Sequence, residues 1–197
     1  MKRICRLIAA VALLTAVATP AFAGWKLVPK GVPALAAGGL KVTPSDDWNR
    51  SSSRPIKKSE VWTLDGATLN ELYFVSGLVP GETLFKDANK KERPLPKLRA
   101  SMDLTEIPEF FESSQRVALN TSVFEITGVE PYKFAGKPGV RFCFQYAVQG
   151  ATLIREGEVA ATLVGDKLYL ISFIAPSIHY FDRDRPKAEA IMASAAL

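Results

Sequence analysis

The chain is 197 residues long, 48% hydrophobic and 23% charged, enough to bury the core of one domain without help from disulfides or metal. Its formal net charge is +5, but Lys2, Arg3 and Arg6 contribute three of those charges at the extreme N-terminus with no acid beside them, so the remainder carries about +2. That small excess argues against a nucleic-acid partner, which requires a strong basic field gathered on one surface.

Taken in chain order, residues 1–23 have the make-up of an export signal. The basic start is followed by an apolar run from Leu7 to Val17, Pro20, and Ala21-Phe22-Ala23, which places small residues ahead of a cut before Gly24. The apolar run is shorter than the roughly 20 residues needed to span a bilayer. A periplasmic or extracellular location is therefore expected, and with it loss of Cys5, leaving Cys143 as the one thiol of the mature chain. Cys143 is expected to be buried and inert, as small hydrophobes are.

Residues 24–38 hold Pro29, Pro33 and several Ala and Gly without sustained periodicity, which predicts a flexible lead-in before a single domain over 39–197. Leu40-Lys41-Val42 starts a first short strand. Pro44 to Pro55 is polar and loop-like, and Glu60 to Leu64, Asp65-Gly66 and Leu69 to Val75 read as strand, turn and strand of a hairpin. Residues 77–99 carry Gly77, Pro80, Gly81, Pro94 and Pro96, which predicts a long, solvated loop. Between Lys86 and Arg99 this loop has six basic residues, Lys86, Lys90, Lys91, Arg93, Lys97 and Arg99, against Asp87 and Glu92.

A helix is expected next, capped by Thr105, with Glu106 and Glu109 in its first turn, Pro108 near its start, and Ile107, Phe110, Phe111 and Val117 as its core face. Ser122 to Val129 then reads as a strand and Pro131 to Pro138 as a connection. Val140, Phe142, Phe144, Tyr146 and Val148 alternate with Arg141, Cys143, Gln145 and Ala147 at the period of a half-buried strand. Gln149-Gly150 turns the chain, Thr152 to Val164 forms a strand, and Gly165-Asp166 makes a two-residue hairpin into Lys167 to Ile174. A closing helix covers roughly 180–195, with Pro186 expected to delay its regular part to about Arg185. The fold class is thus α+β, an antiparallel sheet flanked by helices.

Gly150, Arg155-Glu156-Gly157, the run Gly165 to Ile171, Ala175, Tyr180-Phe181 and Ser194 are similar in order and spacing to the closing region of PsbP-like proteins, over about the last fifty residues. The resemblance implies an α/β/α sandwich and an exported, non-enzymatic accessory protein that acts by contact with a larger membrane-associated assembly. No functional residue is carried over, because the matching positions are turn, strand and packing residues.

Chemistry-bearing motifs are sparse. There is no Gly-x-Ser-x-Gly elbow, no phosphate-binding glycine loop and no cofactor signature; His179 is the sole histidine, which excludes the usual zinc clusters. An enzyme would have to use His179 with Asp182 or Asp184, or pair it with Cys143. Two function classes remain ahead of that. One is an envelope accessory domain that binds a protein partner through Trp48, Tyr132 and the basic loop; the other is a membrane-surface module whose basic loop meets anionic lipid head groups. Trp62, on a strand, is expected to be core.

Overall fold

The structure is a computed structural model that describes residues 24–148 and 150–197, so the expected export signal and Gln149 lie outside the described residues. In chain order the elements are β1 (Trp25–Val28), β2 (Ala34–Ala36), β3 (Leu40–Val42), β4 (Trp48–Ser51), β5 (Ser59–Thr63), β6 (Glu71–Leu78), α1 (Ile107–Leu119), β7 (Val123–Phe134), β8 (Lys137–Ala147), β9 (Ile154–Val164), β10 (Lys167–Pro176) and α2 (Tyr180–Ser194). Eight strands form one sheet in the order β1-β4-β5-β6-β10-β9-β8-β7, and β2 pairs with β3 apart from it. Every pairing is antiparallel.

Alternation along the strands divides the core in two. On β6, Leu72 and Phe74 join one buried cluster while Tyr73 and Val75 join the other. The first cluster takes Phe181, Ala188, Ile191 and Met192 of α2; the second takes Ile107, Phe110 and Phe111 of α1. On β8 the predicted alternation is present: Val140, Phe142, Phe144 and Tyr146 are buried, and the residues between them are half-buried. Val148, one step past the strand, is exposed. Trp62 is fully buried against Phe74, as expected of a core strand residue.

The expected flexible lead-in is instead part of the fold. Pro29 and Pro33 fall just outside β1 and β2, where a missing N–H costs no ladder bond, and they punctuate strands instead of forbidding them. Val28 is buried opposite Trp48, and Ala36 and Ala37 reach the α2-side core. The β2–β3 hairpin turns on Ala37 and Gly38, both at positive φ (48° and 75°), and Lys41 bridges to Ala196, tying the chain's last residues to it.

Three further expectations shift. The helix entry is organised by Asp103 rather than Thr105: the Glu106 carboxylate accepts the Asp103 N–H at 2.8 Å, a 3-10 turn Leu104–Glu106 follows, and α1 starts at Ile107. Residues 131–138 are not a connection, because β7 runs through Pro131 to Phe134 and turns on Ala135-Gly136 directly into β8. Both prolines are tolerated there: β7 is an outer edge of the sheet, and Pro138 precedes Val140, where pairing of β8 with β9 begins. Finally, α2 is helical from Tyr180 and carries Pro186 in its interior. The proline removes one backbone bond, but Phe181 on one side of it and Ala188, Ile191 and Met192 on the other seat both halves of the helix on the sheet.

Candidate functional site

The segment after β6 is less free than its composition suggests. Gly77, at φ 71°, packs against the Tyr169 hydroxyl at 3.5 Å from where a Cβ would stand, and Gly81 turns the chain at φ 88°. Gly81 N–H then donates to Leu98 O at 2.8 Å and Leu98 N–H to Glu82 O at 2.9 Å, so the two ends of the loop are laced together. Leu84, Leu95 and Leu98 are buried, Tyr73 donates its hydroxyl to Leu84 O at 2.7 Å, and the Phe85 ring lies 5.5 Å from Tyr73 and 6.3 Å from Phe111. The solvated loop of the sequence reading is thus pinned over the α1-side core by apolar side chains spaced among its lysines.

Between this loop and the segment before β5 lies a cleft of about 590 Å³. Lys57, Lys58, Lys86, Lys90 and Lys97 line it, over a floor of Ile56, Leu78 and Phe85, with Glu82 and Asp87 as its only carboxylates. Glu82 is spoken for: it accepts Lys58 Nζ at 2.7 Å and the Val79 N–H at 2.9 Å. Burial pushes its carboxyl up, but the Lys58 and Val79 hydrogen bonds outweigh that and hold it below the ordinary value. Asp87 Oδ2 accepts the Leu95 N–H at 3.3 Å, whereas its Oδ1 is buried without a partner. Lys58 is the lysine of the cleft that pairs with a carboxylate, whereas Lys57, Lys86, Lys90 and Lys97 stand exposed at its walls, where an incoming anion can meet them.

The proposed contact residues therefore divide. Lys86, Lys90 and Lys97 meet in the cleft, joined by Lys57 and Lys58, which the sequence reading missed because they lie outside the loop that brings them a partner surface. Lys91 is exposed outside it. Arg93 donates to Asn120 Oδ1 at the end of α1, and Arg99 pairs with Glu106. Trp48 is fully buried and is no contact residue: β4 is flanked by β1 and β5, and its alternation turns Trp48 into the α2-side core. Tyr132 is half-buried against the same core, with the Arg141 guanidinium 5.8 Å from its ring centre.

Of the groups considered for catalysis, Asp184 is buried and engaged elsewhere, while His179 and Asp182 are exposed. Asp184 Oδ1 accepts Arg183 Nε at 2.9 Å and Lys187 Nζ at 3.0 Å, and Oδ2 accepts Asn70 Nδ2 at 3.0 Å, so this carboxylate joins α2 to the β5–β6 turn. His179 stands in the turn before α2 at φ 72°, edge-on to Tyr180. Among the described residues no group of three or more His, Cys, Asp and Glu side chains has the arrangement of a metal site. Cys143 is half-buried in a shallow pocket of about 340 Å³ walled by Gly128, Glu130, Arg141 and Arg185, with His179 not among its walls. Burial, then the charge of Glu158, pushes its thiol up, away from a reactive thiolate. Beside it, buried Glu158 pairs with Arg141 and with Arg185 Nε at 2.8 Å, and Glu189 accepts the same Arg185 Nε at 2.9 Å, binding α2 to β8 and β9.

No protein-family model matches the sequence, and no curated protein does. Among solved structures, the solution structure of cyanobacterial PsbP (CyanoP) from Synechocystis sp. PCC 6803 matches with a TM-score of 0.51 at 13% identity, over 93% of this chain and 98% of that one. The fold is PsbP-like. The likeness extends well beyond the last fifty residues in which the sequence resembles that group. A mutant of the protein Mog1 matches with a TM-score of 0.47 at 12% identity, over 86% of this chain and 89% of that one. LpqN, involved in cell envelope biogenesis of Mycobacterium tuberculosis, matches with a TM-score of 0.35 at 8% identity, over 87% of this chain and 90% of that one.

Proposed function

We propose that this chain is an exported, non-catalytic accessory domain of the cell envelope, an α/β/α sandwich that grips an acidic segment of a protein partner in its lysine-lined cleft. The observation that carries the reading is the convergence of Lys57, Lys58, Lys86, Lys90 and Lys97 on an apolar floor where one of the two carboxylates, Glu82, is already neutralised by Lys58. A set of exposed, flexible cations around a floor of aliphatic and aromatic side chains suits an extended chain bearing Asp or Glu beside apolar residues. Attachment of the whole basic loop to lipid head groups fits less well, since Arg93 and Arg99 have protein partners and Lys86, Lys90 and Lys97 gather at one cleft with Lys57 and Lys58. Turnover at His179 has no support from Asp184, whose oxygens are occupied.

The test is anisotropy of a labelled peptide alternating Glu with Leu, titrated with the mature chain at low and at high salt, alongside a variant in which Lys86, Lys90 and Lys97 are all replaced by Gln. Binding that weakens at least tenfold in the variant and falls away as salt rises past about 0.5 M supports the proposal. Equal binding by the two proteins, or none at low salt, removes it.

A further inference from the structure

The lysine cleft lies at one end of the sheet, and two further turns of the chain sit at that same end. Leu78 closes β6 opposite Leu168 at the start of β10, Lys167 stands opposite Val164 at the end of β9, and Val140 near the start of β8 stands opposite Ala161. The β9–β10 turn and the β7–β8 hairpin therefore follow the cleft in strand order, β6-β10-β9-β8-β7. Lys167 leaves the first of these turns, and Lys133 and Lys137 flank the second; all three are exposed. The stretch from Pro131 to Gly139 contains no acidic residue, and Tyr132, Lys133, Lys137 and Pro138 are among those lining a shallow hollow there of about 430 Å³. Fully buried Phe134, and the Thr162 hydroxyl donating to Pro138 O at 2.6 Å, hold this hairpin against the rest of the sheet.

Lysines scattered over a surface need no explanation, but here sign and position go together. Among the described residues the lysines in ion pairs are Lys58, with Glu82, and Lys187, with Asp184. Lys133, Lys137 and Lys167 thus join Lys57, Lys86, Lys90 and Lys97 as exposed cations without a carboxylate partner. Asp166 is the one acidic residue of the β9–β10 turn. The opposite end of the sheet mixes the signs, setting Asp65, Glu156 and Asp182 beside Arg155 and Arg183, the last paired with Asp65. Positive charge is therefore gathered along one end, with a concave station at each limit of the row and Lys167 between them. Four strand spacings of about 4.8 Å separate β6 from β7, about 19 Å in all, which an extended chain covers in about six residues. A compact anion would occupy one station, whereas a single extended chain can engage both and gains affinity from the second at little further cost.

We infer that the partner's acidic segment is bipartite: beyond the residues held in the cleft it runs across the β9–β10 turn and sets a second acidic cluster, about six residues on, against Lys167, Lys133 and Lys137. This rests on the acidic-segment reading and adds to it the length and charge spacing of the segment. The experiment measures anisotropy of two labelled peptides, each a Glu-Leu repeat followed by a six-residue Gly-Ser spacer, one ending in three Glu and the other in three Gln. Each is titrated at low salt with the mature chain and with a variant carrying Lys133→Gln, Lys137→Gln and Lys167→Gln, whose melting temperature is checked first. The Glu-ended peptide is expected to bind the unaltered chain at least about fivefold more tightly than the Gln-ended one. In the variant that advantage should fall within about twofold, while the Gln-ended peptide binds both proteins alike. Cutting the spacer to two residues, too short to reach the hairpin, should remove the advantage as well. Should the triple variant not fold, Lys133→Gln and Lys167→Gln taken singly should each remove part of it. Equal binding of the two peptides by the unaltered chain overturns this inference and leaves the cleft reading standing. So does an advantage that survives the lysine replacements or the short spacer. Binding of neither peptide removes the cleft reading, and this inference with it.

Discussion

Gly157 lies beneath the ring of Phe144, its partner across β8 and β9, so closely that a Cβ at Gly157 would stand 2.1 Å from the ring's Cζ. The absence of a side chain at Gly157 is what lets Phe144 lie down between Phe124, at 5.0 Å and nearly parallel, and Phe111, at 5.1 Å. Gly157→Ala should lower stability by about 1–3 kcal/mol through overpacking. Combining it with Phe144→Leu should cost less than the sum of the two single changes, measured as a double-mutant cycle by urea denaturation. Strict additivity would show that the ring and the glycine are not coupled.

Glu158 is 1% exposed and bonded to Arg141 and Arg185. Glu158→Ala removes the buried carboxylate at the centre of this network, while both partly exposed guanidinium groups keep Glu189, and should cost about 1–3 kcal/mol. The loss should be concentrated in the docking of α2, so amides of Ile191 and Met192 should exchange faster with deuterium before those of β10 do. Uniform acceleration would place the effect elsewhere.

Stability against pH should show two opposing carboxylates. Burial works to raise the Asp184 carboxyl, but hydrogen bonds from Arg183 and Lys187 prevail and hold it below its ordinary 3.8. Its stabilising contribution is therefore present above that ordinary value and is lost as pH falls through the lower folded value. Glu71 is the reverse: burial raises its carboxyl above the ordinary 4.5, only partly offset by Arg155. Its ionisation costs stability as pH rises beyond that value. Asp184→Asn should lower Tm at pH 7 and approach the unaltered chain in strong acid, while Glu71→Gln should raise Tm at pH 7 and converge with it below about pH 4.5. Parallel Tm curves for either variant between pH 2 and 7 would contradict the assignment.

Glu82 keeps Lys58 from acting on a ligand. Glu82→Gln should therefore tighten the binding of an acidic peptide by roughly two- to fivefold at low salt, since a partly exposed ion pair is worth about 1 kcal/mol or less. Weaker binding would mean that Glu82 itself touches the ligand.

Cys143 should react slowly with iodoacetamide at neutral pH, because burial and the nearby Glu158 carboxylate disfavour its thiolate. Labelling as fast as that of a free thiol peptide would show that the strand opens around it.

The parts of this fold most legible in the sequence are those where pattern and local chemistry agree. The alternation from Val140 to Tyr146 and the Gly165-Asp166 turn, with Gly165 at φ 58°, each name their structure directly. Ala135-Gly136 makes an equally tight hairpin, at φ 49° and 75°, without the Asn or Asp that usually announces one, and prolines on either side disguise two paired strands as a connection. Trp48 is misread from sequence because burial in a four-residue strand depends on neighbours far away along the chain, Val28 before it and α2 after it. The lysine cleft is half visible for the same reason: Lys86, Lys90 and Lys97 share a segment, but the wall that opposes them comes from Lys57 and Lys58, placed there only when β5 and β6 pair.

Pro131 sits inside β7, one of the sheet's two edge strands, and the register of that strand slips between Ile126 and Gly128. An exposed border of this length invites another chain to continue the ladder, and a residue with no amide hydrogen together with a local kink denies it a regular template. Crowded copies of the molecule should consequently stay apart instead of stacking edge to edge into filaments, and Pro131→Thr is the single replacement most suited to release that growth.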